Sequence, residues 1–181
     1  MTTLRIIEDV AEADWPAAPA GLSTAAMGIP SQVIWRRLES WIAWRWGQRP
    51  VTFIVEGGCG SWRPPLYPVV ATTVERWDGE GWAAVTLSAD PLGGLGIGEA
   101  THYRIAGTLG IDDDPPEDVA EAYRRLAEYS AERPAMAGAT SYSAELGSTL
   151  KESWDRAPTW LARALTYSGA ADLLRPYRRA P

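Results

Sequence analysis

The sequence predicts an α+β chain: a mainly helical bundle with an inserted small antiparallel β-sheet or hairpin region and an extended C-terminal segment. Three observations predict it. Apolar residues recur at helical spacing over 31–46, 114–133 and 158–168; β-branched and aromatic runs separated by turn residues fill 51–109; and the final residues mix leucines with arginines. The chain then divides into an N-terminal arm or weak helix (1–30), a core of helix, β insertion and helix (31–134), a linker with a C-terminal helix (135–168) and a C-terminal docking tail (169–181).

Residues 1–30 are rich in Ala, Pro and Thr and carry only a weak apolar pattern at Leu4, Ile6, Ile7 and Val10, which predicts an arm or short helix. From Ser31 to Trp46, Ile34, Leu38, Trp41 and Arg45 fall on one helical stripe, broadened by Val33, Ile42, Trp44 and Trp46, and Gly47 and Pro50 end it. So aromatic a helix is buried on more than one side or presses against another subunit. Val51–Glu56, Val69–Trp77, Trp82–Leu87 and Tyr103–Leu109 read as strands, with a loop at Gly57–Pro65, a turn at Asp78-Gly79 and a Gly-rich stretch at Pro91–Gly98. Strands joined by turns, with no helix between them, argue against a parallel nucleotide-binding sheet.

Asp114–Arg133 is the clearest helix. Asp114 caps it, Pro115 and Pro116 suit its first turn, Glu117 stands three residues after the cap, and Pro134 stops it. Val119, Tyr123, Leu126 and Ser130 form its inward stripe; a helix of about 20 residues spans roughly 30 Å. Residues 135–150 are small and polar, which predicts a linker or loop of the kind that could order only in an assembly. Pro158 opens a last helix, with Leu161, Ala164, Leu165 and Ser168 on one face and Gly169 at its end.

At 181 residues the chain suits one domain. One cysteine and one histidine exclude a disulfide framework and a thiolate or imidazole zinc site within one copy, and suit a reducing compartment. No metal or cofactor is implied. No apolar leader follows Met1, and the uncharged run Trp15–Trp35 is broken by prolines and glycines, so no membrane span is expected. A net charge of −6 argues against gripping nucleic acid through phosphates. Charge is segregated: Asp112–Glu132 holds eight acids against two arginines, whereas Arg156–Pro181 holds five arginines against Asp172. Such a basic end is a solvated end or meets an acidic surface.

Candidate chemistry is thin. Cys59, in the string Gly57–Trp62, has no histidine–asparagine pair to activate it, since His102 is the single histidine and the chain contains no asparagine. Gly93, Gly94, Gly96 and Gly98 match no phosphate-binding pattern. Asp112, Asp113 and Asp114 are explained by the start of the helix. The chain is therefore expected to be no enzyme. Ten tryptophans raise a Trp-rich carbohydrate-binding module as the alternative, with Trp62, Trp77 and Trp82 in or beside the β region.

The order of strings resembles the head-to-tail connector adaptors of long-tailed bacteriophages and gene transfer agents. These are the WIAWRWGQR end of the first helix, Arg63-Pro-Pro-Leu, the β-hairpin, Tyr103-Arg-Ile-x-Gly107, the Pro-Glu-Asp-Val helix from Pro116, and Leu173-Leu-x-Pro-Tyr-Arg178. The amino terminus departs from that family, which opens with a cleaner amphipathic helix than Pro16 and Pro19 allow. The resemblance implies a virion protein of the neck, made in the bacterial cytoplasm. It implies a closed homo-oligomeric ring of about twelve copies between the portal protein and the stopper or tail-completion protein, with DNA passing through without sequence-specific binding. It also implies portal binding through Leu173, Leu174, Pro176, Tyr177 and Arg178.

Overall fold

The computed structural model describes residues 1–91, 93–132, 141–146, 150–155 and 162–179. The expected helical bundle is not there: the chain is mainly β, built on a five-stranded antiparallel sheet, and its helices are short. Two departures account for the difference: the amino terminus is a strand and the Trp-rich helix stops at Glu39. Of the expected last helix the described residues are helical over Ala164–Tyr167, and the C-terminal segment expected to be extended is itself helical over Ala170–Leu173. The chain forms two compact units, the first Met1–Pro16 with Glu39–Pro115 and Pro176–Pro181, the second Ala17–Leu38 with Pro116–Arg175.

The first unit contains β1 (Thr2–Glu8), β2 (Arg49–Glu56), β3 (Gly60–Trp62), β4 (Val69–Trp77), β5 (Trp82–Ala84), β6 (Ser88–Ala89), β7 (Leu95–Ile97) and β8 (His102–Leu109). The large sheet runs β1-β2-β8-β4-β5 and a small one β3-β7-β6, all antiparallel. Alternation along β2 and β8 turns Val51, Phe53, Val55, Tyr103, Ile105 and Leu109 into the core, where Trp62 and Ile97 of the small sheet meet them. Each such side chain contributes about 1.5–3 kcal/mol when fully buried. Gly107, the glycine of the Tyr-Arg-Ile-x-Gly string, has a steric reason: a Cβ there would lie 2.1 Å from the Val70 carbonyl oxygen on β4. The β4–β5 turn forms where expected, with the Asp78 carboxylate accepting the amides of Glu80 and Gly81 at 2.9 and 2.8 Å.

The arm expected over 1–30 is in its first eight residues an edge strand, because Thr2, Thr3, Ile6 and Ile7 are β-branched and Ile6 pairs with the buried Phe53. In the Gly-rich stretch Gly93 and Gly94 lead into β7 with φ of 83° and 127°, and the Asp90 amide donates to the Gly94 carbonyl.

The second unit contains α1 (Thr24–Met27), α2 (Ser31–Glu39) up to Leu38, α3 (Glu117–Ala131), α4 (Ala164–Tyr167) and α5 (Ala170–Leu173). Ile34, Trp35 and Leu38 of α2 and Val119, Tyr123 and Leu126 of α3 are buried, with the Trp35 and Tyr123 rings 4.9 Å apart. Asp114 does not cap α3. Pro116 holds the cap position without a side-chain bond, and Asp118 accepts from the Val119 amide instead. Gly169, at φ 75°, separates α4 from α5. A hairpin, β9 (Ser141–Leu146) with β10 (Leu150–Asp155), occupies part of the stretch expected as a linker. Pro134, Pro158 and Leu161 lie outside the described residues.

Candidate functional site

The docking residues expected at the C-terminus fall in different surroundings. In the second unit Leu173 is half-buried and Leu174 fully buried, while Arg175 is exposed beside Asp172 at 3.1 Å. In the first unit Pro176 and Arg178 are exposed and Tyr177 is half-buried. The Tyr177 carbonyl accepts the Ala43 amide at 3.0 Å, and its ring meets those of Trp44 and Trp46 at 6.1 and 5.4 Å. The Arg178 guanidinium lies 4.8 Å over the Trp41 ring.

The loop that receives Tyr177 follows α2, and its shape comes from a buried charge network. Glu39 Oε1 accepts the amides of Trp46 and Gly47 at 2.7 and 3.3 Å, and Oε2 accepts from Arg49 at 2.7 Å. Arg49 also reaches Glu8 Oε2 at 2.7 Å, and Arg45 donates to the carbonyls of Glu39, Ile42 and Trp44. These contacts require residues 40–48 to fold back on Glu39, so the apolar stripe through Trp41 and Arg45 does not continue the helix. Burial pushes the Glu39 carboxyl up, while Arg49, the Trp46 amide and Arg45 pull it back. Two acids face two arginines, an arrangement that holds a loop in place and offers no unpaired acid or base for catalysis.

A cavity of about 480 Å³ opens in the first unit. Trp62 and Leu95 of the small sheet and Val69, Ala71 and Ile105 of the large one line it, closed by the Arg63–Tyr67 loop. The Trp62 indole donates to Thr3 Oγ1 at 3.0 Å, and the Tyr67 backbone bonds both Ala43 and Arg45. The walls are therefore held from several directions.

The remaining candidates do not assemble. Cys59 and His102 are both exposed. Among the described residues no group of three or more His, Cys, Asp or Glu could hold a metal, and Asp112, Asp113 and Asp114 are all exposed. No described helix is long and apolar enough to cross a membrane. Of the proposed sugar platform, Trp62 is buried, Trp77 and Trp82 meet edge to face, and Arg104, paired with Glu75, covers the Trp82 ring at 4.9 Å. No flat open aromatic face results.

No protein-family model matches the chain, and no curated protein matches it. Solved particle structures share its fold. One is the neck of an empty gene transfer agent particle, computed with C6 symmetry; another is the virion of a native gene transfer agent particle. In each case the identity is 17%, the TM-score 0.53, and the match spans 98% of this chain and 97% of the other. The charge network and the cavity are absent from the motifs read in the sequence. The available signals were charged Glu39, Arg45 and Arg49 in a Trp-rich stretch, and the Arg63-Pro-Pro-Leu string beside the cavity.

Proposed function

We propose that the chain is a non-enzymatic structural protein of a particle neck, the head-to-tail adaptor of a bacteriophage or gene transfer agent. It would be made in the bacterial cytoplasm and assembled with the particle. The observation that carries this reading is the fold likeness to a chain of a gene transfer agent neck over nearly the whole length of both chains. The ordered strings from Trp41 to Arg178 support the adaptor role within that neck. Copies form a closed ring of about twelve. The portal lies on one side of the ring and the stopper or tail-completion protein on the other. DNA passes through the centre, and a net charge of −6 offers its phosphates few basic partners.

Attachment to the portal runs through Leu173, Leu174, Pro176, Tyr177 and Arg178. Leu174 anchors the segment, and Pro176 and Arg178 are exposed for contact. One such tail binds marginally. Leu174 is already buried and Leu173 and Tyr177 half-buried in the chain's own fold, so the surface left for a portal contact is small. Copies in one ring bind together, because each later attachment is intramolecular.

Deletion of residues 176–181 in a particle-producing strain tests the assignment. The truncated chain is expected to keep its circular dichroism spectrum and to be missing from purified tailed particles. Its recovery there at the wild-type level would overturn the tail assignment, and absence of the full-length chain from purified particles would overturn the neck reading.

A further inference from the structure

The cavity beside the Arg63-Pro-Pro-Leu string has no part in the attachment described above. We propose that it is a docking pocket for a partner protein's segment in which a bulky apolar side chain stands next to a carboxylate. That the occupant is a protein segment rests on the neck reading; its chemistry comes from the walls.

Val69, Leu95, Ile105 and Trp62 make those walls largely apolar, and about 480 Å³ is ample for one large side chain with its flanking backbone. The polar requirement comes from Arg63. In the first unit Arg45, Arg49, Arg76 and Arg104 each hold a carboxylate, whereas the exposed Arg63, like Arg5, Arg178 and Arg179, holds none among the described residues, and of those four it is Arg63 that lines the cavity. A guanidinium fork with no intramolecular acid, at the edge of an apolar hollow, fits a carboxylate two-pronged.

The pocket is also formed in advance of its occupant. Gly94 approaches so closely that a Cβ would lie 2.3 Å from the Trp62 carbonyl oxygen and 3.2 Å from Arg63 Cγ, so the turn before β7 rests on β3 and on the arginine's stem. Tyr67 is fixed on the opposite side by its two backbone bonds and by the Trp44 ring at 4.7 Å. Binding therefore needs little ordering of the receptor.

The test titrates the ¹⁵N-labelled full chain with acetyl-Phe-Asp-amide and with acetyl-Phe-Asn-amide, following the amides of Gly93, Gly94 and Leu95. The Asp peptide is expected to give saturable shifts with an affinity at least about 5-fold above the Asn peptide, the advantage of a charge-assisted bond. Arg63→Ala should equalise the two peptides. Ala71→Trp, at an exposed strand position on the cavity wall, should remove the shifts of both. No saturable shift, or a preference for Asp that survives Arg63→Ala, overturns the proposal. A chain that joins particles yet binds neither peptide refutes the pocket alone; one that binds the Asp peptide in this way yet never joins particles supports the pocket and refutes the neck reading alone.

Discussion

Arg49 begins β2 with only 3% of its surface exposed and stands between two carboxylates, Glu8 on β1 and Glu39 at the end of α2. Removing the arginine leaves buried Glu39 with the Trp46 and Gly47 amides but one weaker cationic partner, Arg45 at 3.8 Å. Breaking one side of a buried ion pair costs about 3–5 kcal/mol, far more than the pair gains over apolar residues of equal volume. Arg49→Met should therefore lower the unfolding free energy by an amount in that range, seen as a lower urea midpoint at unchanged slope and read by fluorescence of the tryptophans after Glu39. A loss below about 1 kcal/mol would mean that the pair behaves as a surface bridge. None of this is visible in the hydrophobic period of residues 31–46, which places Arg45 on the same stripe as Leu38. A stripe records which residues turn inward and carries no record of which carboxylate they will meet.

Elements made by local pattern were legible, and elements made by distant partners were not. β4 occupies Val69–Trp77 as its β-branched run indicates, and the Asp78-Gly79 turn closes it. β1 was missed because its evidence lies in β2, some forty residues away, while Pro16 and Pro19 dominate its own neighbourhood. The cavity was hidden for the same reason, being assembled from residues between Trp62 and Ile105. The α1–α3 contact is another distant pairing, and it titrates. The Ser23 amide and hydroxyl donate to the two carboxylate oxygens of Glu128 at 2.6 and 2.7 Å, while Ser23 Oγ accepts from the Ala26 amide at the start of α1. These two bonds hold the Glu128 carboxyl below its ordinary value of about 4.3. A lowered folded value means that the stabilisation is present above the unfolded value and lost as pH falls through the folded one. Glu128→Gln should be less stable than the wild type near neutral pH, and the two should converge once the medium is acidified below both values. Thermal melts across that range check it; a gap that persists in acid would show that the charge is not what matters.

At the scale of the whole molecule, the large sheet has two edges, and they are unequal. β5 offers three residues, whereas β1 offers seven, including Leu4, Ile6 and Ile7 at 52%, 39% and 45% exposure. Soluble proteins ordinarily blunt such an edge with lysines, a proline or a bulge, because its free amides and carbonyls pair with any passing strand. β1 has a register shift between Thr3 and Arg5 and an exposed Arg5, but Leu4, Ile6 and Ile7 stay exposed on it. In the ring proposed above a neighbour would cover that edge, and the isolated chain should then self-associate through it. The segregated charge offers a rival route, with the acidic stretch 112–132 of one copy meeting the basic end of the next. Salt separates the two, since main-chain pairing and apolar burial persist when exposed charges are screened. Sedimentation velocity from about 50 to about 500 mM NaCl, over which the Debye length shrinks to a few ångström, should show association nearly unchanged for the wild type. It should be abolished in Leu4→Lys/Ile7→Lys, whose exposed positions should alter the fold's own stability little. Association that vanishes in high salt and survives both lysines would assign the contact between copies to the charged ends instead.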